Sequence, residues 1–135
     1  KAAFFSYGGD VYGFILPELG KDGSPSHIDK KVVMPRLFGV SRKKAKSFHN
    51  YYCPEAMEYG TCSPFVLETS LAQEKSPLKA IYIHEMPGLD DRLVDISIGG
   101  SDEQAHKTSL HLPYGGIYDI LHHTFEDKIK KTQLI

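Results

Sequence analysis

The chain has 135 residues, of which 41% are hydrophobic and 24% charged, a composition that predicts one globular domain spanning 1–135. Lysine and arginine total 16 and aspartate and glutamate 17, which excludes a global electrostatic field that would steer nucleic acid to the protein. No apolar run approaches the roughly 18 residues that a membrane-spanning helix requires, so no membrane span is expected.

The N-terminal part of the chain predicts a β-hairpin. The runs 2–7 (AAFFSY) and 11–16 (VYGFIL) are aromatic and β-branched, and the glycines between them favour a tight turn. Pro17 ends the second strand because it has no N–H to give to a ladder. A further short strand is predicted at 31–34 (KVVM).

A helix is predicted over 42–52, with Ser41 as its N-cap. Basic residues are frequent here and just before it, and such a run usually marks a solvated helix face. The alternative is a phosphate-binding patch, which would make nucleic acid a partner. The basic residues are Lys30, Lys31, Arg42, Lys43, Lys44 and Lys46.

Two later runs, 80–86 (AIYIHEM) and 93–98 (LVDISI), read as strands on either side of the turn sequence PGLDD. A hairpin centred in that turn would place His84 opposite Asp95, where their side chains can touch. A register shift of one residue would send the two side chains to opposite faces of the sheet. The hairpin is therefore a specific geometric hypothesis.

The C-terminal part predicts a strand at 108–112, a turn at 113–116 and a helix from 117 to about 130, which carries apolar residues at helical spacing. Together the predicted elements favour an α+β fold. It would hold a mixed, mostly antiparallel sheet with two or three helices.

Three residues offer the groups of a nucleophilic catalytic site. Cys62 supplies a thiol, which an imidazole must activate, and Gly60 and Thr61 before it allow a sharp bend whose amides would form an oxyanion hole. His84 would be the general base and Asp95 its orienting carboxylate. In the alternative interpretation, the cysteine is a core thiol and the histidine a strand residue satisfied by a neighbouring carboxylate.

The order Gly60-Thr61-Cys62, followed by an apolar strand that ends in His84, resembles the cysteine–histidine glutamine deamidases. That family includes the catalytic domain of cytotoxic necrotizing factor and the chemoreceptor deamidases. The resemblance implies an open α+β fold around a mixed sheet, with thiolate attack on a glutamine carboxamide of a protein substrate. No third catalytic group of that family maps onto this chain, so Asp95 is predicted from the hairpin alone. The papain-like hydrolases, with cysteine at a helix start, are a related alternative.

Two other functional classes stay open. A histidine-dependent ribonuclease of a toxin domain would use His111 and His122 as acid and base, with a lysine of the basic segment on the phosphate. A non-catalytic protein-binding module would use exposed tyrosines.

The sequence contains no HExxH or CxxC motif, so neither a metal nor a cofactor is expected. Cys53 and Cys62 would form either one disulfide or two separate thiols. The chain begins at Lys1 rather than at methionine, which predicts a processed chain or an excised domain. A secreted or delivered effector would fit the toxin-like hypotheses.

Overall fold

The computed structural model describes residues 1–20, 22–51, 77–97 and 109–135. They form an α+β fold with a mixed five-stranded sheet and a separate two-stranded ribbon, which confirms the predicted fold class. The strands are β1 (Ala2–Tyr7), β2 (Asp10–Ile15), β3 (His49–Asn50), β4 (Leu78–His84), β5 (Leu93–Ser97), β6 (Ser109–Pro113) and β7 (Ile129–Thr132). The helices are α1 (Lys30–Phe38) and α2 (Tyr114–Phe125), and short 3-10 turns lie at Lys44–Ser47 and Glu126–Lys128.

The five-stranded sheet has the order β3-β1-β2-β4-β7. The predicted N-terminal hairpin is confirmed, since β1 pairs with β2 in antiparallel register and Gly8 and Gly9 have φ values of 58° and 85° in the turn. β2, β4 and β7 are mutually parallel. Their carboxyl ends therefore meet at one edge of the sheet, where binding sites of open α/β sheets usually lie.

Side chains alternate between the two faces of the sheet, and each face has its own core. Phe4 and Ile81 pack with α2 and the ribbon on one face, whereas Phe5, Phe14 and Tyr82 pack with α1 and the 3-10 turn Lys44–Ser47 on the other. The period of two along a strand produces this division. The ribbon and the basic segment consequently lie on opposite faces of the sheet.

The strand predicted at 31–34 is wrong, because these residues belong to α1. Asp29 caps the helix by accepting a hydrogen bond from the Lys31 backbone N–H at 3.0 Å, and Gly39 ends it at φ 64°. Val33 and Met34 become the buried side of the helix. The two caps outweigh the helix-breaking effect of Pro35.

The helix predicted over 42–52 is also wrong, although its cap is real. Ser41 Oγ accepts a hydrogen bond from the Lys44 N–H at 3.1 Å, but only the short 3-10 turn follows. Phe48 is extended and fully buried, and residues 49 and 50 then pair with β1. The helix does not continue because Phe48 is buried in the core and the next two residues pair with β1.

The hairpin predicted between 80–86 and 93–98 is wrong, although both segments contain strands. β4 pairs in parallel with β2 and β7, whereas β5 pairs with β6 in the separate ribbon. β4 is buried on both faces, as expected for a parallel strand, and the partners that bury it come from distant parts of the chain.

The predicted C-terminal helix is confirmed from 117 to 125, but it begins earlier and ends earlier than expected. The turn predicted at 113–116 is wrong, since α2 starts at Tyr114. Glu126, at φ 50°, breaks the helix, and Ile129–Thr132 leaves it to form the edge strand β7. The helix therefore ends earlier than predicted because Ile129–Thr132 pairs with β4.

Candidate functional site

Of the residues predicted for the thiol site, the structure describes His84 and Asp95, and it does not bring these two together. Cys62, Gly60 and Thr61 lie outside the described residues. His84 ends β4 in the main sheet, whereas Asp95 lies in the ribbon. The predicted contact between His84 and Asp95 does not form, because each strand has other partners.

His84 is held as a structural acceptor. It is 3% exposed, and its Nδ1 accepts a hydrogen bond from the Leu134 backbone N–H at 2.9 Å. A neutral imidazole that accepts at Nδ1 carries its proton on Nε2. With Nδ1 engaged as an acceptor and the proton on Nε2, neither ring nitrogen has a lone pair with which to deprotonate a thiol. His84 therefore anchors the C-terminal segment to the sheet in a state unsuited to take a proton through Nε2.

Asp95 instead contacts His111, with 2.8 Å between Oδ1 and Nδ1. The two residues are directly opposite in the ribbon, and both side chains are more than half exposed. A carboxylate only accepts, so His111 Nδ1 must donate and its Nε2 keeps a lone pair. In its neutral form the His111 imidazole can therefore take a proton through Nε2.

The sequence contained the signal for this pair. Alternation in both strand segments turns Asp95 and His111 towards solvent, while Ile96 of the same ribbon is buried in the core. Pairing 93–97 with 109–113 would have placed the two side chains opposite each other. The shorter connection between 80–86 and 93–98 favoured the wrong hairpin.

A cleft of about 480 Å³ lies beside Asp95, at the carboxyl end of β2. This volume is within the usual range of ligand pockets. Buried apolar side chains form its inner wall, and Arg92 and Asp95 are among its exposed residues. The apolar residues that line it include Ile15, Leu16, Leu89, Ile96 and Ile117.

Tyr114 ties the elements around this cleft together. Its buried hydroxyl lies 3.0 Å from the carbonyl oxygen of His84 and 3.3 Å from that of Ile15. It thus donates to the ends of two parallel strands from the first residue of α2. Burial, and secondarily the nearby charge of Asp90, raise the pKa of the Tyr114 phenol. The residue is neutral and acts as a fixed donor.

His111 and His122, the acid and base of the ribonuclease hypothesis, have separate partners. His111 is bonded to Asp95, whereas His122 is in the last turn of α2 and its ring is stacked on Tyr118 at 5.3 Å. In the described part of the chain, no hydrogen bond links the two imidazoles. The basic segment lies on the other face of the sheet, so its lysines are not directed at His111.

That basic segment forms an exposed cationic surface, here called the basic surface (Lys30, Lys31, Arg42, Lys43, Lys44 and Lys46). Lys30 is half-buried and donates to the Phe48 carbonyl oxygen at 2.8 Å, which joins the start of α1 to the end of the 3-10 turn. The other five side chains are exposed. Asp29 serves as the α1 cap, and no ion pair within the described residues neutralises the basic surface.

Comparison with protein-family models, curated proteins and solved structures finds no significant match to the chain. Neither α1 nor α2 is long and apolar enough to cross a membrane. Within ranges 1–20, 22–51, 77–97 and 109–135, no three His, Cys, Asp or Glu residues are grouped so that they could hold a metal ion.

Proposed function

We propose that the protein is a thiol-dependent amidohydrolase acting on a protein amide, most simply a glutamine side chain. Cys62 is its nucleophile, and His111 replaces His84 as the general base. The observation that supports this assignment is the 2.8 Å contact between Asp95 Oδ1 and His111 Nδ1. Asp95 orients the base, as the sequence predicts, but that base is His111 instead of His84.

The proposed reaction uses the tautomer of His111 that has its proton on Nδ1 and a lone pair on Nε2. His111 Nε2 takes the thiol proton, and Asp95 stabilises the resulting imidazolium. The thiolate attacks the amide carbon, and the imidazolium returns the proton to the departing nitrogen, so that ammonia leaves and a thioester remains. Water, deprotonated by the same Nε2, then hydrolyses the thioester to a carboxylate. Asp95 gains no proton at any step.

The proposal is tested by the reactivity of the thiol. We expect iodoacetamide to alkylate Cys62 faster than Cys53 at neutral pH, because a base nearby increases the thiolate fraction. His111→Gln and Asp95→Asn should both slow the alkylation of Cys62 and leave that of Cys53 unchanged. His122→Gln, which replaces an exposed histidine on α2, is the control. An unchanged rate in His111→Gln would refute the assignment of the base.

His84→Gln separates the two candidate bases. Glutamine can still accept the Leu134 N–H through its side-chain oxygen, so the fold can be retained while the imidazole is lost. We expect this variant to keep the fast alkylation of Cys62. If instead His84→Gln, with an unchanged melting temperature, is slow and His111→Gln is fast, His84 is the base.

A second function is favoured by the basic surface, which we propose binds the phosphate backbone of single-stranded nucleic acid. Five exposed cations without an ion pair among the described residues supply sequence-independent affinity for phosphates. This charge is concentrated on the α1 face, although the chain as a whole has a net charge of −1.

Fluorescence anisotropy with a labelled single-stranded RNA tests this binding. With four phosphates neutralised, the slope of log K against log salt should be roughly −3. The triple variant Lys43→Glu, Lys44→Glu, Lys46→Glu should lose the binding. The matched triple variant Lys79→Glu, Lys128→Glu, Lys130→Glu has the same charge change elsewhere and should retain it. Equal losses in the two variants, or binding only to anionic lipid vesicles, would contradict the assignment.

A further inference from the structure

The cleft beside Asp95 combines an apolar inner wall with charged residues at its opening. Ile15 and Leu16 contribute the end of β2, Leu89 the loop after β4, and Ile117 the first turn of α2. Each of these four side chains is at most 2% exposed. These four side chains form the floor beneath the cleft, and the apolar surface that a ligand can contact comes from Leu93, which is 64% exposed, and from half-buried Pro17 and Val94.

The charges at the opening are not equivalent. Asp95 is hydrogen-bonded to His111. Arg92 is exposed and makes no side-chain hydrogen bond or ion pair within the described residues. Its guanidinium therefore has donors to offer, in a planar arrangement that matches a carboxylate.

We infer that this cleft binds a peptide segment in which an aliphatic side chain adjoins a carboxylate. The side chain packs on Leu93 and Val94, and Arg92 holds the carboxylate at the opening. As a description of the substrate, the inference rests on the proposed function, because Asp95 belongs both to the cleft and to the dyad with His111.

The test is direct binding of two small probes that differ only in the carboxylate. N-acetyl-leucine carries the aliphatic group and the carboxylate, and N-acetyl-leucinamide carries the aliphatic group with a neutral amide. Methyl NMR titrations should show saturable shifts of Leu93 and Val94 with N-acetyl-leucine. We expect binding of N-acetyl-leucinamide to be weaker by about two- to fivefold, because solvent screens an ion pair with the exposed Arg92.

Arg92→Gln should remove the difference between the two probes. The control is Lys131→Gln, because Lys131 lines a separate cleft next to His84; it should retain the difference. Equal affinities of the two probes for the unaltered protein would overturn the inference, and so would an undiminished preference in Arg92→Gln. N-acetyl-glycine binding as tightly as N-acetyl-leucine would show that the apolar surface of the cleft is not used.

These measurements are independent of the thiol chemistry. Cys62→Ser should bind N-acetyl-leucine as the unaltered protein does, since the nucleophile is not needed for binding. Normal probe binding together with alkylation that does not depend on His111 would refute the proposed base and leave the ligand assignment standing. His111-dependent alkylation without probe binding would refute the ligand assignment and leave the proposed base standing.

Discussion

Removing the Tyr114 hydroxyl should loosen the junction between the two parallel strands and α2. In Tyr114→Phe the ring remains, but the donor to the carbonyl oxygens of His84 and Ile15 is lost. One hydroxyl has one hydrogen, so the two contacts count as a single shared bond, with a net value of about 0.5–1.5 kcal/mol. The carbonyls left without this donor raise the expected loss to about 1–2 kcal/mol.

Thermal unfolding at pH 8 measures this loss. For a chain of this size, the melting temperature should fall by roughly 3–5 °C per kcal/mol, which gives a decrease of about 3–10 °C. Tyr118→Phe is the matched control, because Tyr118 is half-buried on the same helix and its hydroxyl makes no hydrogen bond within the described part of the chain. It should change the melting temperature little.

The same variant should also change how stability depends on alkaline pH. Burial raises the pKa of Tyr114 in the folded protein, whereas in the unfolded chain the pKa is about 10. Above pH 10 the unfolded state therefore loses this proton first, and stability falls by about 1.4 kcal/mol per pH unit until the folded pKa is reached. Tyr114→Phe has no ionisable hydroxyl at this position, so its stability does not fall in this way.

The difference in unfolding free energy between the two proteins should therefore narrow by about 1.4 kcal/mol from pH 9 to pH 11. Tyr12 and Tyr82, whose pKa values burial also raises, are present in both proteins and cancel. Urea titrations at each pH provide the values. A difference that stays constant over this range would refute the assignment of Tyr114 as a neutral, buried donor.

Three further substitutions test the packing of the sheet and the cap of α1. In Gly13→Ala the new Cβ would lie 2.7 Å from the Phe4 ring and 3.2 Å from Ile81, so urea unfolding should show a loss of about 1–3 kcal/mol; an unchanged midpoint would show that the sheet relaxes freely. Phe14→Ala empties a fully buried site and should cost about 3–5 kcal/mol by the same assay, which a loss below 1 kcal/mol would contradict. Asp29→Ala removes the cap of α1 and should cost about 0.5–2 kcal/mol; Asp29→Asn, which can still cap, should recover most of it.

Local sequence signals were sufficient where neighbouring residues decide the structure. Two aromatic, β-branched runs separated by glycines form a hairpin because a tight turn fixes the register of its own strands. The alternation along 93–97 and 109–113 likewise identified both strands of the ribbon. The α+β class follows from such local patterns.

Local signals failed where a distant element competed. The 31–34 run has strand propensity, but the cap at Asp29 and burial of Val33 and Met34 against the sheet make it helical. At Phe48, burial against Tyr7 and Phe38 ended the helical turn that Ser41 had begun. Propensity differences are small beside the burial of a large apolar side chain.

The candidate site illustrates the same division. The sequence by itself supplied its chemistry, since it marked Asp95 and His111 as candidate catalytic groups and their segments as strands. Only the tertiary structure decided that Asp95 contacts His111 rather than His84. β4, which carries His84, lies between the parallel strands β2 and β7, whereas β5, which carries Asp95, pairs with β6. Strand pairing depends on which distant surfaces can be buried together, and a single strand's sequence does not record that.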